Sequence, residues 1–314
     1  MNNIALVFPG QGIQSIGMLN KFSKFFPLIR NTFIEASTVL NYDLWYLLNY
    51  GPIEELNKTY LTQPIILTSC ISIWRIWNSI CKIKPIVVAG HSLGEYTALV
   101  CNGCLDFSLA LRIVYFRGKL MQKIISNNDG IMLAVIGLNK NQISYACKQA
   151  AETQVVVISN YNSYDQIVIS GHKSAVLRTE LICKKLGAKY TKILPISIPS
   201  HCILMKPAAK IFKKYLEKIK FNNFTIPIIH NTTSNINNCN KKIFELLTKQ
   251  LYYPVNWIKI INYIVRVIKI NKIIEISPIN ILTKFNINIT CNNVFCVSIN
   301  SAKSLVKLAK EISI

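Results

Sequence analysis

The sequence predicts an α/β protein whose main layer is a parallel β-sheet covered by helices, with a ferredoxin-like unit inserted into it. Two observations lead to this fold class. In the first third of the chain, short apolar runs are followed by turns and then by helical periodicity, the order that builds a parallel sheet. In the middle of the chain, the patterns follow the order β-α-β-β-α-β of a ferredoxin-like unit.

The elements before the insertion are predicted from apolar runs for strands and from 3.6-residue periodicity for helices. In chain order they are a strand at residues 4–8, helices at 22–40 and 65–77, a strand at 85–89 and a helix at 95–101. A turn at Pro9 and Gly10 ends the first strand, and Gln63 and Pro64 open the second helix. Strand, turn and helix follow each other twice, which favours parallel strands.

The inserted unit begins near Gly130. Its elements are a strand at residues 131–137, a helix at 140–152, strands at 155–160 and 166–170, a helix at 173–186 and a strand at 192–198. After the inserted unit, the pattern of the first third of the chain resumes, with helices at 208–218, 241–251 and 257–267 and strands at 273–276 and 294–298. We therefore predict a large α/β core of residues 1–126 and 199–314 and a small subdomain of residues 127–198.

Length and composition predict a packed, soluble chain. Of its 314 residues, 51% are hydrophobic, which is too apolar for a disordered protein. A mean hydropathy of +0.31 raises the question of a membrane protein. The longest apolar runs, such as the one from Ile65 to Trp74, are interrupted by hydroxyl residues and fall short of the roughly 20 residues of a membrane span. The chain opens Met1-Asn2-Asn3 without a cationic region, so we expect no signal peptide and a cytoplasmic location.

The ten cysteines could indicate disulfides or a metal site. Most stand singly among apolar residues, and Cys101 and Cys104 form the one pair with C-x-x-C spacing, without the second pair that a zinc site needs. That pair lies towards the end of a predicted helix, away from the helix start that lowers a thiol pKa. We expect buried thiols that act as small hydrophobic residues, and no metal.

The net charge of +22 suggests an acidic partner, which could be a nucleic acid, a membrane or an acidic protein. The lysines are dispersed and form no basic block of the kind that binds nucleic acid. Mutational drift towards Lys, Asn and Ile explains the charge equally well, and it is compatible with an acidic protein partner. We expect neither a nucleic acid nor a membrane as partner.

A serine nucleophile is predicted at the sequence Gly90-His91-Ser92-Leu93-Gly94. This is the G-x-S-x-G pattern of a nucleophile elbow, and a predicted strand and helix flank it as that motif requires. Glycines suit both sides of the serine because a sharp turn has no room for neighbouring Cβ atoms. The amide of Leu93 and the start of the following helix would then face a developing oxyanion.

A serine nucleophile needs a base, and the chain has four histidines. His91 adjoins Ser92 and is expected to point away from it, and His172 suits a turn at the end of a strand. His201 follows the last predicted strand of the insertion, where the chain returns to the core, and His230 follows another apolar run. Because sites often lie in the crevice between domains, position favours His201 over His230 without excluding the latter.

Six short motifs follow one another along the chain: Phe8-Pro-Gly-Gln-Gly12, Thr62-Gln-Pro64, Ala89-Gly-His-Ser-Leu-Gly-Glu-Tyr96, Arg117-Gly118, Pro199-Ser-His201 and Gln250-Leu-Tyr-Tyr-Pro-Val-Asn-Trp257. In this order they resemble the bacterial malonyl-CoA:acyl carrier protein transacylases. The resemblance runs from residue 4 to about residue 282 and implies an α/β-hydrolase-like core with a ferredoxin-like insertion. It also implies transfer of malonyl from malonyl-CoA to the phosphopantetheine thiol of an acidic acyl carrier protein, with no metal or redox cofactor.

Position by position, the resemblance assigns six residues to five roles. They are Ser92 as nucleophile, His201 as base, the backbone carbonyl of Gln250 as the group that orients His201, the amides of Gln11 and Leu93 as oxyanion hole, and Arg117 as the anchor of the malonyl carboxylate. Residue chemistry agrees at Arg117, because its planar fork pairs with a carboxylate in bidentate fashion. A lone cation in an apolar helix is also costly without an anionic partner.

One motif departs from the resemblance. The family usually has a Gly-Pro-Gly turn late in the chain, and this sequence has Ser277-Pro278-Ile279-Asn280 there. The loss of both glycines concerns the geometry of that turn and none of the proposed catalytic groups.

Two other function classes stay open at this point. A serine hydrolase, either a thioesterase or an esterase, would share the elbow and deliver the acyl group to water. A basic nucleic-acid-binding protein would form no acyl-serine and would bind DNA with a steep dependence on salt.

Overall fold

The computed structural model describes residues 3–124, 129–196, 198–236 and 242–313, which form two β-sheets and the helices around them. The strands are β1 Ile4–Phe8, β2 Val87–Gly90, β3 Gly130–Ile136, β4 Val156–Tyr161, β5 Gln166–His172, β6 Tyr190–Ile193, β7 Ile228–Ile229, β8 Val255–Asn256, β9 Lys272–Ile276 and β10 Phe295–Ile299. The α-helices are α1 Asn20–Ser23, α2 Leu28–Leu40, α3 Leu44–Tyr50, α4 Ile53–Leu56, α5 Thr59–Ile80, α6 Gly94–Cys101, α7 Phe107–Ile124, α8 Lys140–Ala151, α9 Lys173–Lys185, α10 Lys206–Leu216, α11 Ile243–Gln250, α12 Trp257–Asn262, α13 Leu282–Thr290 and α14 Ala302–Ser313.

The main sheet has the strand order β10-β9-β1-β2-β7, and all of its strands are parallel. Its central strand β1 is buried on both faces. Ile4, Leu6 and Phe8 face a large apolar layer that includes α5 and α7, while Ala5 and Val7 face a smaller layer built around α12. This burial on both faces is why β1 is a continuous apolar run and not an alternating one.

The second sheet has the order β6-β3-β5-β4-β8. Its first four strands are antiparallel neighbours and, with α8 and α9, have the ferredoxin-like arrangement. The fifth strand, β8, comes from the returning main chain and pairs with β4 in parallel. The predicted fold class is therefore confirmed, and β8 adds a connection between the two sheets.

The predicted division into a core and a subdomain stays a prediction. Its first junction, between residues 126 and 127, lies outside the described residues. Near the second junction, the last strand of the unit is β6, which ends at Ile193, earlier than the predicted strand at 192–198. Ser197 of that prediction also lies outside the described residues, as does Lys241 at the start of the helix predicted at 241–251.

Two predicted helices have different bounds in the structure. The helix predicted at 22–40 is interrupted before Leu28, because Pro27 disfavours the helical conformation of the residue before it. The helix predicted at 65–77 begins earlier, at Thr59, and contains Pro64. Sixteen of its 22 residues are buried, and this packing offsets the hydrogen bond that the proline cannot make. Among the described residues, no helix combines the length and the apolar character that a bilayer crossing requires.

Candidate active site

Ser92 lies in a tight turn between β2 and α6. Its φ angle is +51°, in the left-handed region that non-glycine residues seldom adopt. A Cβ atom on Gly90 would lie 1.9 Å from the carbonyl carbon of Gly94, and one on Gly94 would lie 2.1 Å from the carbonyl oxygen of Phe8. Both glycines are therefore required by close backbone packing, and the serine is held at the carboxyl edge of the main sheet.

Asn231 fixes this turn from the neighbouring strand. The backbone N–H of Ser92 donates to Asn231 Oδ1 at 2.7 Å, and Asn231 Nδ2 donates to the carbonyl of Gly90 at 2.6 Å. Asn231 was not predicted as a site residue from the sequence. The available signal was its position directly after an apolar run, because the ends of neighbouring parallel strands meet at one edge.

His201 contacts the serine hydroxyl in the geometry of a general base. Ser92 Oγ lies 2.7 Å from His201 Nε2. The other ring nitrogen, Nδ1, lies 2.8 Å from the carbonyl oxygen of Gln250 and 3.2 Å from that of Tyr253. Carbonyl oxygens only accept, so Nδ1 carries the proton and Nε2 keeps a lone pair for the proton of Ser92.

The surroundings keep His201 neutral. Burial lowers the pKa of its imidazole to about 3, and the charge of Arg117 and the ring of His91 act in the same direction. A neutral imidazole is the form that accepts a proton, so the residue is ready to act as a base at neutral pH.

The other three histidines are placed differently. His91 Nε2 lies 2.9 Å from Oδ1 of Asn162, which follows β4, and the His91 ring forms part of the cleft wall without a hydrogen bond to the Ser92 side chain. His172 Nδ1 accepts from the backbone N–H of Val155. His230 is fully buried and donates from Nδ1 to Glu95 at 2.6 Å. Of the four, His201 is the one in contact with the nucleophile.

Arg117 lies on α7, buried beside Ser92. Its Nη2 lies 3.4 Å from Ser92 Oγ and donates to Gln250 Oε1 at 3.1 Å. Burial lowers the pKa of the guanidinium, and no carboxylate of the described residues forms an ion pair with it. Gly118 makes the placement possible, because a Cβ there would lie 2.5 Å from Tyr60 Cα on α5.

The two candidate oxyanion donors lie next to the serine. Leu93 follows it in the chain, and Gln11 is in the loop after β1 that lines the same cleft. Neither backbone N–H donates to an acceptor among the described residues. Two unengaged amides beside a nucleophile are what a tetrahedral oxyanion needs.

A cleft of about 350 Å³ opens above Ser92 and His201, between the carboxyl edge of the main sheet and the second sheet. Its apolar wall includes Met132, Ala134, Val168, Leu194, Ile281, Leu282 and Phe285. Asn160, Asn162 and Gln166 supply polar groups, and Lys192 lines it as an exposed cation. The cleft thus suits an elongated ligand with an apolar body and several polar groups.

The turn that departs from the family pattern is held by a buried carboxylate. Glu275 accepts from the backbone N–H groups of Ile281, Leu282 and Thr283, and also from the Thr283 hydroxyl. These bonds fix the start of α13 and the cleft wall formed by Ile281, Leu282 and Phe285.

The described cysteines form no metal cluster with other ligand residues, and all nine of them are free thiols. Cys101 and Cys104 are both buried, and burial raises the pKa of each thiol, to about 12 for Cys104. Cys239 lies outside the described residues. Redox cysteines are usually partly exposed and have a lowered thiol pKa, and these two thiols have the opposite properties.

Comparisons with known proteins place this geometry in a family. The model of the acyl transferase domain matches residues 5–301. The chain is 46% identical over 283 residues to the malonyl CoA-acyl carrier protein transacylase of Escherichia coli (strain K12), covering 90% of this chain and 91% of that protein. It matches the structure of the Coxiella burnetii malonyl CoA-acyl carrier protein transacylase with a TM-score of 0.95 at 40% identity, over 100% and 98% of the two chains. It also matches a malonyl-transacylase solved in complex with its type II PKS acyl-carrier protein, with a TM-score of 0.95 at 42% identity over 98% and 99%.

Proposed function

The chain belongs to the acyl transferase domain family, and from this membership we propose that it works through a malonyl ester on Ser92. It transfers the malonyl group of malonyl-CoA to acyl carrier protein, in fatty acid synthesis. One observation carries the mechanism: Ser92 contacts His201, whose other nitrogen faces the Gln250 backbone carbonyl, beside a buried arginine that forms no ion pair with the described residues. Membership of this family favours acyl transfer over the hydrolase and nucleic-acid-binding alternatives.

In the first half-reaction, His201 Nε2 takes the proton of Ser92 as Oγ attacks the thioester carbon of malonyl-CoA. The carbonyl oxygen becomes an oxyanion that accepts from the amides of Gln11 and Leu93. The carbon–sulfur bond then breaks, the CoA sulfur receives the proton from His201, and malonyl remains as an ester on Ser92.

In the second half-reaction, the phosphopantetheine thiol of acyl carrier protein gives its proton to His201 and attacks the malonyl ester. The same two amides stabilise the oxyanion, and Ser92 Oγ leaves and recovers its proton from His201. In both half-reactions the new bond to the carbonyl carbon forms before the old bond breaks. One set of groups therefore serves both thiols, that of CoA and that of acyl carrier protein. No oxidation state changes, and we propose that the reaction uses neither a metal nor a redox cofactor.

Arg117 is proposed to bind the malonyl carboxylate during both halves. It is a buried cation 3.4 Å from the nucleophile, and a carboxylate would supply the direct ion pair that it does not form with any described residue. The acidic character expected of acyl carrier protein fits the charge of +22, which would speed encounter of the two proteins. The cytoplasmic location stays a prediction.

Intact-mass spectrometry tests the transfer function on the unmodified chain. We expect malonyl-CoA to add one malonyl group to the protein, because the serine is activated before any second substrate arrives. Addition of holo-acyl carrier protein should then remove the adduct and add the same mass to the carrier. Rapid loss of the adduct without carrier protein, with release of malonate, would identify a hydrolase instead.

Arg117→Ala is expected to reduce selectivity. Losing the partner of a buried charge costs about 3 to 5 kcal/mol, so the preference for malonyl over acetyl should fall at least about a hundredfold. Acetyl transfer should not decrease, because acetyl offers nothing to a buried guanidinium. The measurement is kcat/KM for both CoA esters.

Arg112, exposed on the same helix, is the matched control, and Arg112→Ala should keep the wild-type preference. A malonyl preference that survives in Arg117→Ala would show that another residue anchors the carboxylate.

A further inference from the structure

The side chain of Gln250 is buried behind Ser92 and joins three parts of the site. Its Nε2 donates to the backbone carbonyl of Ser92 at 3.0 Å and to Glu95 Oε2 at 2.7 Å. Its Oε1 accepts from Arg117 Nη2 at 3.1 Å. Orientation of His201 uses the backbone carbonyl of Gln250 alone, so it does not explain these side-chain contacts.

Glu95 determines which end of the Gln250 amide faces Arg117. A carboxylate only accepts hydrogen bonds, so the NH₂ end of the amide turns to Glu95. The carbonyl end is then left for the guanidinium, which only donates. With the amide reversed, donors would face each other at Arg117, and acceptors at Glu95.

Glu95 is itself held by two further donors. His230 Nδ1 donates to Oε1 at 2.6 Å, and the backbone N–H of Asn231 donates to Oε2 at 3.1 Å. Glu95 and His230 are almost completely buried, so water does not compete for these bonds. The carboxylate is therefore a fixed reference point inside the core.

Arg117 depends on the Gln250 contact because it has few others. Its Nη2 also lies 3.4 Å from Ser92 Oγ. Its Nε is buried without a hydrogen-bond partner among the described residues. Its guanidinium carbon lies 5.5 Å from the centre of the Tyr96 ring. Among the described residues, the bond to the side-chain carbonyl of Gln250 is thus shorter than the contact to Ser92, and the Tyr96 side chain also interacts with the guanidinium.

We infer that Glu95 and the side chain of Gln250 are positioning residues that aim Arg117 at the malonyl carboxylate and so set the preference for malonyl over uncharged acyl groups. This rests on the role proposed for Arg117. A bidentate pair requires the planar fork and the carboxylate to be aligned, and a rotated guanidinium loses one of the two bonds.

A double-mutant cycle tests the step from Gln250 to Arg117. Gln250→Ala removes the side chain and keeps the backbone carbonyl near His201. The readout is the ratio of kcat/KM for malonyl-CoA to that for acetyl-CoA, because losses common to both esters cancel in it. We expect the ratio to fall about tenfold in Gln250→Ala, the worth of about one charge-assisted hydrogen bond.

The double variant Gln250→Ala/Arg117→Ala should have the same ratio as Arg117→Ala alone, because Gln250 acts through Arg117. A further tenfold fall in the double variant, or an unchanged ratio in Gln250→Ala, would overturn the inference.

Two variants of Glu95 test the orienting step. Glu95→Gln keeps a carbonyl oxygen for Gln250 and Asn231, and its NH₂ can donate to His230 once that ring changes tautomer. We expect it to keep the ratio within about threefold, whereas Glu95→Ala should lower the ratio about as much as Gln250→Ala. Equal losses in the two Glu95 variants would contradict orientation by an acceptor.

The outcomes separate this inference from the proposed function. Should Arg117→Ala keep the malonyl preference, the assignment of Arg117 as anchor and the positioning role of Glu95 and Gln250 are both wrong. Should Arg117→Ala lose the preference while Gln250→Ala and Arg117→Ala act additively, Arg117 remains the anchor and the positioning role alone is wrong.

Discussion

Replacing Ser92 by alanine is expected to abolish the malonyl adduct and to lower the rate of transfer to acyl carrier protein by about 10⁴ or more. The hydroxyl is the one group that His201 contacts for deprotonation, at 2.7 Å, and alanine leaves the base with nothing to activate. Residual turnover would come from the oxyanion donors and substrate binding alone. Intact mass, peptide mapping and the transfer rate measure the effect.

A second serine provides the control. Ser200 lines the same cleft and lies next to His201 in the chain, but His201 makes no hydrogen bond to its hydroxyl. Ser200→Ala should therefore still form the adduct at Ser92. An adduct that persists on Ser92→Ala would assign the nucleophile to another residue.

Local sequence signals were sufficient to predict the nucleophile turn and the strand beside it. The strand β1 and the G-x-S-x-G turn are read from adjacent residues, and steric conflict at Gly90 and Gly94 accounts for the pattern. The ferredoxin-like arrangement also follows from local patterns, since each of its helices and strands has its own periodicity.

The remaining contacts depend on tertiary structure, which no local pattern reports. Ser92 and Asn231 are 139 positions apart, and the short strand β7 that brings them together has two residues, too few for a period to show. The same holds for β8. A buried Glu95 between His230 and Gln250 reads in sequence as an ordinary charged residue of the first helical turn, because burial is decided by what packs over it.

Pro64 illustrates the opposite error. Proline is a strong local signal, and it led to a helix start at residue 65 when the helix begins at Thr59. Burial of α5 against α7 and the main sheet outweighs the local penalty, so here tertiary packing overrides propensity. The helices α3, α4, α13 and α14 were not predicted, the first two because each spans fewer than eight residues.

Replacing His201 by alanine is expected to lower the acylation rate by roughly 10² to 10⁴, the usual contribution of a positioned general base. His172→Ala is the matched control and should change the rate little, because that ring bonds the backbone of Val155, outside the cleft. Equal losses in the two variants, or a larger loss in His230→Ala, would move the base to another histidine.

The pH dependence of the wild type gives a second measurement of the same base. Burial lowers the pKa of His201 to about 3, so the free enzyme keeps a neutral imidazole from pH 7 down to pH 5. We expect kcat/KM for malonyl-CoA to fall less than about threefold over that range. A histidine with an ordinary pKa of about 6.5 would lose roughly 25-fold, because its protonated form cannot accept the serine proton. A fall of that size, absent from a pH profile of protein stability, would show that His201 is more exposed to water in solution than its contacts with Ser92 and Gln250 imply.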